Sequence, residues 1–215
     1  MARVPLVYPK MPNASAAKLE KCIAFEKYDG TNLHWVWERE LGWYAIGTRR
    51  DRYDLDAVGI GDFADSHSGL EQAPGLFREK LETQLTPILA ERNFYGSDEL
   101  TVFTEFLGAN SFAGQHAESD EKQLVLLDVL THDGFLSPFE FAEQFESVPC
   151  ARVVHRGKFN GQFAANVREG KFDVREGVVC KGGETGEVWM VKIKTNEYML
   201  RLKDSFANDW HDYWE

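Results

Sequence analysis

The feature that most restricts the fold is a pair of apolar runs, residues 33–38 (LHWVWE) and 43–48 (WYAIGT), separated by a short turn at Leu41-Gly42. Both are rich in aromatic and β-branched residues, which suit a pleated surface, so they read as the two strands of a hairpin. A hairpin commits the chain to antiparallel pairing. Residues 22–28 supply a strand just before it, and residues 100–106, 124–130, 178–180 and 188–194 are further apolar runs of strand length. Helical signals fall between these groups. Asn13 or Ser15 can cap a short helix over 16–21. Residues 76–92 have helical spacing, with Pro87 expected to kink or break the helix. Ser137-Pro138 marks a helix start, serine as cap and proline at the first position, with the helix running to about residue 146. Asn160 caps another, which Gly170 ends. Residues 197–214 read as an amphipathic C-terminal helix, and residues 51–69, rich in Asp and Gly, as loop. Strands joined by hairpins, with helices between the groups, predict an α+β domain of mainly antiparallel sheets with flanking helices.

Several function classes are disfavoured at once. Nothing alternates as βαβ, and no Gly-Lys-Ser/Thr follows Gly108 or Gly114, so there is no P-loop. Hydrophobic residues make up 43% of the 215, enough for a substantial core. No stretch approaches the roughly 18 apolar residues of a membrane span, and the first ten residues lack the apolar centre of a secretory signal. The expectation is a soluble, cytoplasmic protein with no membrane partner. Cys22, Cys150 and Cys180 are too few for a disulfide framework and form no zinc spacing, so they read as buried thiols. The six histidines show no triad or metal spacing. Net charge is -11, but it is unevenly spread: residues 152–203 hold 11 Lys plus Arg against 6 Asp plus Glu. A basic third on an acidic body can present one positive face to phosphates.

Three short motifs carry chemistry. Lys27-Tyr28-Asp29-Gly30 lies between two predicted strands, the glycine permitting a tight turn, and a lysine there is a nucleophile if its amine is neutral. Glu176-Gly177-Val178-Val179-Cys180-Lys181 sets a carboxylate before a short apolar strand and a lysine five residues on. Lys192-Ile193-Lys194 puts two ammonium groups on one strand face, where they repel unless an anion sits between them. Singly, each is also what an ordinary turn, surface glutamate or edge strand looks like.

Their order is more specific. KxDG, a strand glutamate, EGxVxK and a late KxK together resemble the covalent nucleotidyltransferase superfamily of RNA ligases, DNA ligases and capping enzymes, from about Phe25 to Lys194. The resemblance implies a nucleotidyltransferase (ATP-grasp-like) domain that uses ATP and Mg²⁺ or Mn²⁺. Lys27 is then the residue that takes AMP, and Glu26 lies near the base. Arg49 is the arginine near the ribose, with Arg50 or Arg52 as alternatives. In TVFTEFLG, Glu105 contacts the ribose and can join Glu176 in holding the metal. Asp128 falls on the next family strand, where many members stack an aromatic on the purine; here Leu126 and Leu127 stand near that place. Lys181 closes its motif, and Lys192 and Lys194 contact the α-phosphate. These two lysines and the Mg²⁺ ion are together expected to depress the Lys27 pKa.

Within the superfamily, Asp29-Gly30-Thr31-Asn32 resembles the extension common after the nucleophile of RNA ligases, which makes Asn32 a further cofactor-binding residue. Only 21 residues follow Lys194, too few for an OB-fold. The domain is expected to span 1–195, with 196–215 a helical tail of the same unit. The implied partner is nucleic acid, RNA or DNA ends bearing a 5′-phosphate and a 3′-hydroxyl. Arg152, Arg156, Lys158, Arg168, Lys171 and Arg175 are the candidate contacts. A minimal DNA ligase and a non-catalytic nucleotide- or RNA-binding relative are the alternatives.

Overall fold

A computed structural model describes residues 7–91, 96–108 and 119–206. Gly114, His116, Arg92, His211 and residues 207–214 of the expected C-terminal helix lie outside these.

The predicted hairpin forms and sits inside a larger sheet. Strands β1 (Lys21–Lys27), β2 (Thr31–Glu38), β3 (Gly42–Gly47), β4 (Arg52–Asp54), β5 (Glu99–Leu107), β6 (Gln123–Thr131), β7 (Gly134–Phe135), β8 (Val153–Lys158), β9 (Gly177–Gly182) and β10 (Trp189–Lys194) make two antiparallel sheets. One has four strands in the order β10-β9-β1-β8 and the other six in the order β4-β3-β2-β5-β6-β7. The helices are α1 (Ala57–Ser66), α2 (Ala73–Leu76), α3 (Thr83–Glu91), α4 (Pro138–Gln144), α5 (Gly161–Arg168) and α6 (Asn196–Phe206).

One core joins the two sheets. Ile23 and Phe25 of β1 pack in the same apolar cluster as Leu33 and Trp35 of β2, Phe77 and Leu81 of the helical layer, and Phe141 of α4. Trp35 stacks on Phe77 with ring centres 3.9 Å apart, and its indole N–H donates to Thr104 Oγ1 at 2.9 Å. Cutting such a side chain to alanine costs about 3–5 kcal/mol. A second cluster lies on the other face of the four-stranded sheet, where Phe163 and Val167 of α5 cover Cys22, Val178, Cys180 and Ile193.

Capping rules hold where the sequence shows them. Ser137 Oγ accepts from Phe139 N, and Asn160 Oδ1 accepts from Phe163 N at 2.8 Å. Two expectations are corrected. Residues 51–69 are not loop: they hold β4 and α1, whose cap is Asp56, accepting from Val58 N and Gly59 N. Gly59 and Gly61 weaken intrinsic helicity, but that cap and the complete burial of Phe63 outweigh them. Pro87 does not break its helix; α3 runs through it, and the irregularity lies upstream as a π turn over Phe77–Glu82. The short 16–21 helix is instead a single 3-10 turn, Ala14–Ala16, capped by Asn13. Strand β8 was not anticipated. No helix among the described residues is long and apolar enough to cross a membrane.

Candidate active site

The sheets open at one end into a cavity of about 350 Å³, and the residues singled out by the three motifs line it: Glu26, Lys27, Asn32, Arg49, Glu105, Lys181, Lys192 and Lys194. Strand register explains the convergence. Lys27 pairs with Gly177, and Gly177 pairs in turn with Lys194, so three positions lie abreast across β1, β9 and β10. The middle one must lack a side chain, because a Cβ on Gly177 would lie 2.0 Å from Ile193 O. The two lysines on either side reach Glu176, the residue just before it. Lys27 Nζ donates to Glu176 Oε1 at 2.8 Å, and Lys194 Nζ lies 3.6 Å from the same oxygen. Glu176 is buried, and its other oxygen, Oε2, has no hydrogen-bond partner among the described residues.

The glycine of the KxDG motif has a spatial role rather than the expected one in turn conformation. Its φ is not positive. A Cβ on Gly30 would stand 2.4 Å from Phe106 O and 2.9 Å from Glu105 Cγ, so glycine lets β5 bring Glu105 beside the turn that follows Lys27. That turn is anchored from behind, where Tyr198 of α6 donates to Asp29 Oδ1 at 3.1 Å.

In the protein alone, the late lysines do not bring the Lys27 pKa down. Burial alone pushes the Lys27 ammonium towards the neutral form, but Glu176, Glu105 and Asp29 outweigh it, and the Lys27 pKa stands above its ordinary value. The crowding of cations acts on their own members instead. Burial, then Lys194, Lys27 and Lys10, bring Lys192 down to about 8, and burial also lowers Lys194 against the pull of Glu176. Burial raises Glu105 to about 7, Lys27 opposing and Glu176 adding to the rise. Perturbed charges so concentrated in one cavity, Glu105 driven towards protonation and Lys192 and Lys194 towards neutrality, are typical of a functional site.

Not every nominated side chain faces the same way. Strand alternation puts Glu26 on the face opposite Lys27, and its carboxylate is held by Arg152 Nε at 2.8 Å. Of the three arginines, Arg49 lines the cavity, while Arg52 lies over the ring of Tyr44. Asn32 Nδ2 donates to Thr104 O at 3.3 Å. Lys181 has its ammonium in a buried pair with Asp128 Oδ2 at 2.5 Å, donates to Leu127 O at 2.9 Å and lies over the ring of Phe25. The doubt over the purine's neighbour narrows: Leu126 is fully buried, whereas Leu127 lines the cavity, as does Val179.

Sequence reasoning missed the N-terminal segment. Tyr8, Lys10 and Met11 also line the cavity, and the Tyr8 hydroxyl donates to Asp128. Lys192 N donates to Pro12 O at 2.9 Å, so the segment adds itself to the free edge of β10. The available signal was Pro9 and Pro12 on either side of Lys10, which favour extended backbone.

The profile of the RNA ligase family matches residues 20–194. The chain belongs to that family. No curated protein sequence matches it. Among solved structures, it is similar to an RNA ligase mutant of Naegleria gruberi with ATP and Mn, at 15% identity and a TM-score of 0.62, covering 95% of this chain and 62% of that one. It is also similar to the Naegleria gruberi RNA ligase with PPi, at 15% identity and a TM-score of 0.59. An archaeal ATP-dependent RNA ligase matches at 16% identity and a TM-score of 0.60, covering 96% of this chain and 55% of that one. The chain thus spans less than two thirds of these neighbours' length, and at such identities they establish the nucleotidyltransferase fold of the RNA ligase family member described above.

Proposed function

We propose that this RNA ligase family member is an ATP-dependent RNA ligase that carries AMP on Lys27. The observation supporting this most directly is the meeting of Lys27, Lys194 and Glu176 at 2.8 and 3.6 Å, in a cavity that Lys192 also lines. The neutral Lys27 nitrogen attacks the α-phosphorus of ATP. An N–P bond forms, the bond from that phosphorus to the bridging oxygen breaks, and pyrophosphate leaves with the electron pair. Before the attack one ammonium proton passes to the Glu176 carboxylate it already touches and from there to water, and the second proton, lost from the nitrogen as the N–P bond forms, goes to solvent. A 5′-phosphate oxygen of RNA then attacks the same phosphorus, and the electron pair of the N–P bond returns to Lys27, which regains a proton. Finally a 3′-hydroxyl oxygen attacks the activated 5′-phosphorus, AMP leaves with the electron pair, and the hydroxyl proton goes to solvent.

Such transfers depend on positioning and charge neutralisation more than on acid–base strength. Lys192 and Lys194 supply positive charge to the α-phosphate oxygens, and Leu127 and Val179 offer apolar walls to the purine. The residues also fit a divalent cation. Glu176 Oε2 is a buried oxygen without a hydrogen-bond partner among the described residues, and the Glu105 carboxyl lines the cavity. Among the described residues no cluster of three or more His, Cys, Asp or Glu could hold a metal. Mg²⁺ accepts one or two carboxylates and completes its shell with phosphate oxygens and water, and Mn²⁺ shares that preference for oxygen. When bound, it would add charge neutralisation at the phosphates. Exposed Arg152, Arg156, Lys158, Arg168, Lys171 and Arg175 are the proposed nucleic-acid contacts, and a cytoplasmic setting is part of the same reading.

The test is mass measurement after mixing with ATP and Mg²⁺. A gain equal to AMP, absent in Lys27→Ala, is expected; an acid-stable adduct persisting in that variant would overturn the assignment. Nicked and single-stranded 5′-phosphorylated substrates, in RNA and DNA versions, then separate RNA joining from DNA joining, and no joining of any kind would mark a non-catalytic binder.

A further inference from the structure

Among the described residues, two ammonium groups on the β10 side of the cavity lack a carboxylate within ion-pair distance: Lys192 and Lys10. Lys27 and Lys194 share Glu176 and Lys181 is spent on Asp128, so their charge is largely met inside the protein. Lys10 and Lys192 are close enough for the charge of Lys10 to act on Lys192. Two like charges held together without a counterion mark a place for an anion.

Lys10 is also held in place. Two residues before it, the buried Tyr8 donates to Asp128 and packs its ring against Phe103 at 4.9 Å and Phe135 at 5.8 Å. Two residues after it, Pro12 O accepts from Lys192 N, and Asn13 forms a parallel bridge to Lys192. Pro9 and Pro12 restrict the backbone between these anchors. A long side chain on so constrained a segment reaches the cavity at lower entropic cost than one on a free terminus.

Resting on the proposed ligase reading, we infer that Lys10 binds the β- and γ-phosphates of ATP and, after transfer, the departing pyrophosphate. In-line attack by Lys27 sends the bridging oxygen away from the nucleophile, and the electron pair released there adds to an already highly charged group. Lys192 lies next to Lys194 at the α-phosphate, and Lys10 extends that line of cations one step outward. Lys10 is therefore a binding residue for the leaving group and takes no part in the joining of an already activated end.

The experiment loads wild-type protein and the Lys10→Ala and Lys10→Arg variants with AMP. It then measures AMP release by pyrophosphate, and AMP transfer to 5′-phosphorylated RNA, in separate arms. The inference expects Lys10→Ala to raise the pyrophosphate concentration giving half-maximal release at least about tenfold, with partial recovery in Lys10→Arg. A thermal melt matching wild type shows that the loss is not one of folding. Unchanged pyrophosphate dependence overturns the inference, and so does a loss found only in the RNA arm, which would assign Lys10 to the 5′-phosphate of the donor end. If wild-type protein takes no AMP from ATP, the ligase reading itself fails and carries this inference with it.

Discussion

Lys27 Nζ and Glu176 Oε1 are hydrogen-bonded at 2.8 Å, so the amine proposed to attack phosphorus is paired with a carboxylate. In the proposed reaction, nucleophilicity would depend on breaking or screening this contact. A bound nucleotide and divalent cation would compete for Lys27 and Glu176 respectively, which would tie activation of the amine to the arrival of the nucleotide.

Removing the carboxylate separates these effects. In Glu176→Gln the amine loses the largest influence raising its pKa, so the rise of single-turnover AMP loading with pH should move to lower pH. The plateau should fall on the order of 100-fold, because the oxygens that hold a cation are weakened. A profile that keeps its midpoint would show that Glu176 does not govern the charge on Lys27.

Glu105 should lower the stability of the empty protein at alkaline pH. Its folded pKa of about 7 lies above the ordinary 4.5, so its contribution is complete below about pH 4.5 and is lost as pH rises through 7. The difference is about 3 kcal/mol, from roughly 1.4 kcal/mol per unit. Glu105→Gln should therefore unfold at higher denaturant than wild type at about pH 8, and at a similar concentration near pH 4. AMP loading should fall in the same variant. Parallel stability curves across that range would refute the assignment.

His34 has the opposite sign. Burial, aided by Arg52, lowers its pKa to about 4 from 6.5, and its Nε2 has no hydrogen-bond partner among the described residues. The neutral ring contributes stability above about pH 6.5, and this is lost as pH falls through 4. The loss is about 3 kcal/mol. Denaturation of His34→Gln should show a flatter dependence over that window. A wild-type slope in the variant would assign the acid sensitivity to other groups.

Lys181 and Asp128 form a buried pair at 2.5 Å, and removing one partner strands the other's charge. Lys181→Met should cost about 3–5 kcal/mol, and the double variant Lys181→Met with Asp128→Leu should recover much of it. A double variant no more stable than the single would show that the pair is not what the fold requires. Recovered stability without AMP loading would give Lys181 a role at the nucleotide as well.

The sequence made legible what local chemistry determines. The β2–β3 hairpin, the start of α4 at Ser137-Pro138 and the start of α5 at Asn160 were readable because the deciding contacts lie within a few residues. Trp35 and Trp37, two apart on β2, are both buried. What escaped depends on distant partners. Helix α1 is stabilised by burial of Phe63 and not by its glycine-containing sequence. The N-terminal segment is ordered by Asp128, 120 residues from Tyr8, and by the edge of β10. The charge state of Lys27 escaped for the same reason. The lysines at 192 and 194 were visible, but it is the distances from Glu176 and Glu105 that decide the sign.

The order β10-β9-β1-β8 carries a consequence for synthesis. Strand β1 ends at Lys27, yet its neighbours β8 and β9 begin only at Val153 and Gly177. While the ribosome is still at work, Lys27 has neither Glu176 nor the late lysines beside it. Pairing across so long a separation makes folding slow, and an unfinished β1 exposes two bare edges for chaperones to shield. The cluster of Lys27, Glu176 and Lys194 can assemble only after Lys194 has been translated.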